Sequence, residues 1–270
     1  MKLKIRLTSG VAAVLLAACG DSTGPDGSAQ SARTESFEWS GSIAAAGTVE
    51  IKNISGEVRA SPSRDGTIRL RARIEGTLDD PSTVRIEVVE TEQGVTICTV
   101  YPDVPGQGSN QCLPGLAGRL SSRNNDVVVT IDVEVPADCP FIGRTLSGAV
   151  KAADLASDVT ARTTAGDIDV STSGVAVAST LSGNITASIG RSSWDRNLTF
   201  GSLYGDVTVR VPANVNADVW GSTGSGSVAT DFPLTITRLG TSRQLHGVLG
   251  NGGRNLRLTT INGDIALRSN

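Results

Sequence analysis

The chain has 270 residues, four cysteines, one histidine and a formal net charge of −3. That length holds one large domain or two small ones, the charge makes no general case for nucleic-acid binding, and one histidine cannot build a His-rich metal site. The single histidine, His246, has no HExxH or GxSxG context, which argues against a zincin or a serine hydrolase, and it reads as a residue at a strand corner.

The N-terminus reads as a targeting segment. Lys2, Lys4 and Arg6 form a basic start, and Val11 to Ala18 is an apolar run too short to span a bilayer. The run ends in Leu16-Ala17-Ala18-Cys19, which resembles a bacterial lipobox. The alternative is an ordinary secretory signal followed by an incidental cysteine. On the favoured reading residues 1–18 are a lipoprotein signal peptide and Cys19 is the lipidated first residue of the mature chain. At about 0.8 kcal/mol per buried methylene, two or three acyl chains hold a protein on a membrane. The expected location is the bacterial cell envelope, facing the periplasm or the cell surface. Residues 19–35, rich in Gly, Ser, Asp and Pro, are expected to be a flexible tether.

Residues 36–270 are expected to form the folded domain, and no later segment is apolar enough to cross a membrane. The first strands alternate. In "TIRLRARIE" Ile68, Leu70, Ala72 and Ile74 point to one face and Arg69, Arg71 and Arg73 to the other. That arginine stripe is a candidate surface for anionic glycan or lipid head groups, against the alternative of a solvated strand face. Cys98 and Cys112 flank the loop "TVYPDVPGQGSNQ" and are the expected disulfide, worth roughly 3 kcal/mol in the chain-entropy model. Cys139 is left without an assigned role. "VVVTIDVEV" then places Val127, Val129, Ile131, Val133 and Val135 on one face.

A short phrase recurs along the chain: "ISGEV" at 54, "LSGAV" at 146, "LSGNI" at 181, "LYGDV" at 203 and "INGDI" at 261. Its glycines include Gly148, Gly166, Gly183, Gly205 and Gly226, at steps of 18, 17, 22 and 21 residues, and Gly263 lies 37 residues further on. Gly247 would divide that last interval into steps of 21 and 16. A quasi-period near twenty is a repeat signature. Each copy reads as a glycine corner feeding a strand too short to bury a face alone, so successive copies must stack, with Ser and Thr packing as ladders on the outside. The expected fold is all-β: a β-solenoid-like stack of short strands with Gly corners, preceded by longer alternating strands and with little helix.

The same repeat position weakens the case for enzyme chemistry. Asp167, Asp206 and Asp264 each follow a corner glycine, where turn preference accounts for them, and Asp169 falls on the polar face of "GDIDV". A row of such carboxylates could bind calcium, but Ala149 and Asn184 interrupt it. Trp194, in the irregular insertion "GRSSWDRN" with Arg191 and Arg196 beside it, is the second candidate binding residue; it could stack on a sugar or cap the edge of a strand layer.

Three stretches, "FEWSGSIAAAGTVEIKNISGEVRA", "VTVRVPANVNADVWGSTGSGSVATDF" and "GNGGRNLRLTTINGDIALRS", together resemble the bacterial putative-adhesin family of β-strand-repeat domains, a family of unknown function. The resemblance covers about residues 36–270. It implies envelope display and binding, brings no catalytic residues with it, and leaves the loop from Cys98 to Cys112 outside the family's pattern. The preferred expectation is a non-enzymatic, lipid-anchored display or binding module with no cofactor and no metal, tethered through Cys19, whose ligand is an envelope glycan or protein. The alternative is a glycan-active β-solenoid enzyme with clustered carboxylates.

Overall fold

Runs of alternating Val, Ile and Leu separated by glycine-containing turns become strands with one buried and one exposed face. The computed structural model describes Lys4–Ile5 and residues 32–270. Cys19, and with it the lipidation reading, lies outside the described residues.

The first half contributes β1 (Lys4–Ile5), β2 (Arg33–Gly41), β3 (Thr48–Lys52), β4 (Val58–Pro62), β5 (Ile68–Gly76), β6 (Arg85–Thr91), β7 (Gly94–Val100), β8 (Gln111–Cys112), β9 (Gly118–Arg119) and β10 (Val128–Val135). The repeats contribute β11 (Phe141–Arg144), β12 (Val150–Leu155), β13 (Val159–Arg162), β14 (Ile168–Thr172), β15 (Ala176–Ser182), β16 (Ile185–Ile189), β17 (Leu198–Tyr204) and β18 (Val207–Val211). The chain closes with β19 (Ala217–Ser225), β20 (Val228–Thr230), β21 (Thr235–Leu239), β22 (Ser242–Leu249), β23 (Asn255–Asn262) and β24 (Ile265–Ser269). Among the described residues the only helical element is a single 3-10 turn, Pro81–Thr83, capped by the Asp80 side chain. No helix among them is long and apolar enough to cross a membrane.

From β11 to β20 consecutive strands alternate between two sheets, so each pair is one rung of a stack. The first sheet runs β1-β6-β7-β3-β11-β13-β15-β17-β23-β19-β22-β21, and the second β2-β5-β10-β4-β12-β14-β16-β18-β24-β20. Parallel register lines up like residues: Val150, Ile168, Ile185, Val207 and Ile265 form one column. Every member is buried to 1% exposure or less. Phe141, Val159, Leu198 and Leu256 face the core from the other sheet. Each such side chain contributes about 1.5–3 kcal/mol on burial, and only stacking provides it, because a five-residue strand has no second layer of its own. The alternating strands behave as expected: the apolar faces of β5 and β10 are buried and their polar faces are turned out.

Three details differ from the sequence expectation. Strand β2 begins at Arg33, inside the segment read as tether, because Arg33 to Gly41 pair antiparallel along the whole of β5. Gly247 is not a corner: it lies within β22 opposite Val219, where its missing Cβ leaves room for the Leu234 side chain. His246 likewise sits mid-strand, exposed on β22 and paired with Trp220, rather than at a corner. The 37-residue interval is therefore no pair of ordinary rungs. After β18 the chain skips one layer, builds β19 and β20 a rung further out, turns back through the β21–β22 hairpin, and inserts β23 and β24 into the gap. Insertion satisfies both open edges at once, since β23 pairs in parallel with β17 and β19, and β24 with β18 and β20.

Cys98 and Cys112 are joined, with their Cα atoms 5.7 Å apart. Cys139 is free and buried, and burial, aided by the neighbouring Asp138 carboxylate, pushes its thiol up to about 11. We expect Cys139 to resist a thiol reagent at pH 8 in the native protein and to react fully in denaturant. Fast native labelling would show that its pocket opens.

Candidate functional site

The repeated glycines form one continuous edge. Each of Gly148, Gly166, Gly183, Gly205, Gly263 and Gly226 carries a positive φ, and a Cβ on any of them would collide with the carbonyl of the glycine one layer before it in the stack, beginning from Gly56. A hydroxyl three residues before each glycine completes the corner. Thr163 donates to the Gly148 carbonyl at 2.9 Å, Thr180 to Gly166 at 3.2 Å, Ser202 to Gly183 at 2.8 Å, Thr260 to Gly205 at 2.9 Å and Thr223 to Gly263 at 2.8 Å. Asn53 plays the same part within the first corner, donating to Gly56 at 3.1 Å. These hydroxyls are buried inside the corner, while the outward Ser171 and Ser188, and Thr186 and Thr208, lie in register on the outer face. The repeat is thus [Thr/Ser/Asn]-x-x-Gly. The constant spacing of three was legible in the sequence, but the partner carbonyl belongs to another rung and was not.

The acids beside the glycines also have structural partners. The side-chain oxygen of Asp167 accepts the backbone N–H of Asn184 at 2.7 Å, Asn184 accepts from Asp206 at 2.8 Å, Asp206 from Asp264 at 2.7 Å, and Asp264 from Ser227 at 2.7 Å. Turn preference alone does not describe them, since they are links in a ladder between rungs. The Ser227 N–H holds the Asp264 carboxyl below the usual carboxylate range. Asp206 and Asp264 lie one strand spacing apart, but on the exposed rim of a corner. Among the described residues, three surface recesses, at residues 102–125, around Gly201 and beside Asp154, are each lined by no more than one carboxylate. Among the described residues no cluster of three or more His, Cys, Asp or Glu side chains could hold a metal.

The arginine stripe is neutralised by its neighbours. Arg69 pairs with Asp65 and, at 3.0 Å, with Glu134; Arg71 pairs with Glu38 at 3.3 Å and Arg73 with Glu75 at 2.8 Å. Flanking strands β2 and β10 supply two of these acids, which makes the stripe a charge-paired strand face. Trp194 is half-buried and packs against the core. Its Nε1 is enclosed without a hydrogen-bond partner, while Arg196 is held by Asp158 at 2.8 Å. The ring acts as a cap on the rung edge, and Arg191 is exposed beside it.

The loop that the disulfide pins covers the outer face of the first sheet. The β8–β9 hairpin lays Leu113 to Ala117 over β3, where Lys52 donates to the Leu113 carbonyl and, at 3.0 Å, to that of Ala117. Glu50 accepts from the Gly115 N–H at 2.8 Å and the Thr96 hydroxyl at 3.1 Å, and Arg144 lies 3.2 Å from its other oxygen. Glu50 is 3% exposed and Lys52 8%. Burial pulls Lys52 below the ordinary lysine range; Glu50 opposes that shift and Arg144 reinforces it. Sequence alternation in "TVEIK" marks these two side chains as outward-facing, but nothing local shows that a loop sixty residues later encloses them.

Further along the same face, the first sheet is not covered by this loop. Trp220, on β19, is 36% exposed, and the Arg257 guanidinium lies 4.4 Å from its ring centroid. The alternation Asp218-Val219-Trp220, polar-apolar-aromatic, is the sequence signal of an outward tryptophan.

Comparison with known proteins finds the following likenesses. No curated protein matches this sequence. Among solved structures, a putative cell adhesion protein from Clostridium sporogenes is 10% identical, with a TM-score of 0.45 over 88% of this chain and 100% of that one. A putative adhesin from Bacteroides fragilis is also 10% identical, with a TM-score of 0.32 over 87% and 97%. A third, from Parabacteroides merdae, is 11% identical, with a TM-score of 0.28 over 87% and 96%. The family model described as Toastrack DUF4097 matches residues 144–268, from the end of β11 into β24. That span includes two of the three stretches that carried the resemblance and excludes the disulfide loop. Residues 144–268 of this chain are thus similar to the Toastrack DUF4097 family.

Proposed function

We propose that this protein is a non-enzymatic binding module of the bacterial cell envelope, held to a membrane by lipid on Cys19 and presenting its β-stack at the end of a short tether. The observation that carries the non-enzymatic part is the side-chain ladder: Asp167, Asp206 and Asp264 each hold a backbone N–H of the next rung, and they are exposed and line none of the recesses at residues 102–125, around Gly201 or beside Asp154. A glycosidase needs two carboxylates converging on a substrate groove. The names of the structural neighbours, as adhesins, agree with display and binding. The Leu-Ala-Ala-Cys order supports the anchor.

One experiment with two arms tests the reading. Wild-type protein should partition with membranes, and Cys19→Ser should release it or leave it unprocessed; a variant that stays membrane-bound with an unchanged N-terminus sinks the anchor. In the second arm Asp206→Ala should lower stability by about 1 kcal/mol, the worth of one exposed side-chain hydrogen bond, while the wild type turns over nothing in a polysaccharide panel. Cleavage that disappears in Asp206→Ala would establish the enzyme instead.

A further inference from the structure

The open face of the first sheet carries a second kind of surface, and we infer that it binds an acidic, carboxylate-bearing polysaccharide across Trp220 and Arg257. This inference rests on the binding-module reading and names its ligand class and site. Trp220 is more exposed than the half-buried Trp39 and Trp194, and Arg257 from the adjacent strand lies over its ring. The stacked guanidinium keeps an edge for a carboxylate, and the exposed part of the ring, flanked on its other side by His246 of β22, offers a surface to the C–H face of a sugar.

The surroundings fit a chain of sugars better than a single ring. In register, Arg162, Ser179, Gly201, Thr259 and Ser222 form one row across β13, β15, β17, β23 and β19. Gly201 has no side chain, and the row dips there into an open trough walled by Leu181 and Leu203. From β13 to β19 is four strand steps, roughly 19 Å at the usual spacing, which is several pyranose rings. Hydroxyls at Ser179, Thr259 and Ser222 supply hydrogen bonds along the row.

Charge selects the acidic ligand. Arg162 and Arg257 are exposed and, among the described residues, take part in no ion pair, unlike Arg69, Arg71 and Arg73 on the other sheet. Asp218 is the only carboxylate at an outward strand position from β13 to β19 on this face. Two arginines outside any ion pair, on β13 and three strands away on β23, match a linear polyanion laid across the strands.

The test is affinity electrophoresis and titration of the full chain against polygalacturonate and alginate, with neutral dextran as the control. The two polyuronates should bind and dextran should not, and the affinity should fall as salt is raised. Trp220→Ala and Arg257→Gln should each weaken binding at least tenfold, whereas Arg71→Gln should change it less than twofold. Melting curves confirm that the variants are folded, and both substituted positions are on the surface. The inference is overturned if neither polyuronate binds, if dextran binds equally, or if affinity survives both Trp220→Ala and Arg257→Gln. Retention of some other envelope ligand by those variants would leave the binding module standing and remove only this site; cleavage of any glycan would remove the module itself.

Discussion

Gly183→Val and Gly205→Val should each destabilise the domain by about 3 kcal/mol or more, several times the ~1 kcal/mol of a surface change. Two penalties combine. The backbone at these residues has φ of 145° and 148°, a region that a β-branched residue pays heavily to enter. The new Cβ would also collide with the carbonyl of Gly166 or Gly183, the atom that accepts from Thr180 or Ser202. Relief requires moving two rungs apart, which breaks parallel ladder bonds on both sheets. Gly66→Val is the control: its φ is 77°, but nothing lies within 4 Å of its Cβ, so it meets the conformational penalty alone. Thermal or urea melts of the three variants decide the matter. Equal losses for Gly66 and Gly183 would show that conformation, and not the close approach of backbones, governs the corner.

Glu50→Ala should cost roughly 3–5 kcal/mol, the usual consequence of removing one partner from a buried charge pair. The loss has a specific origin: Lys52 and Arg144 would be left facing each other under the β8–β9 hairpin, and the Gly115 N–H and Thr96 hydroxyl would lose their acceptor. Cys112→Ser should cost about 3 kcal/mol by releasing the loop, and it should make Glu50→Ala cheaper, because water then reaches the cluster. A double-mutant cycle measures that coupling. Strict additivity of the two substitutions would mean that the loop does not seal the charges.

The repeat, the all-β class and the alternation of β5 and β10 were legible in the chain because each depends on local periodicity. Valine and isoleucine at every second position must share a face, and a glycine that recurs every twenty residues marks a recurring backbone need. The Cys98–Cys112 pair was legible for a similar reason, since a fourteen-residue separation is a short-range feature. The tertiary structure decided what depends on partners distant in sequence. Sequence order makes Gly226 the successor of Gly205, but open strand edges on both sides of the gap place Gly263 between them. The arginines of β5 look like a basic stripe until β2 and β10 bring acids alongside, whereas Arg257 looks ordinary until β19 sets Trp220 against it. Charge and exposure at a strand position are set by the two neighbouring strands, and in a stack with an inserted rung those neighbours are not the ones that follow in the chain.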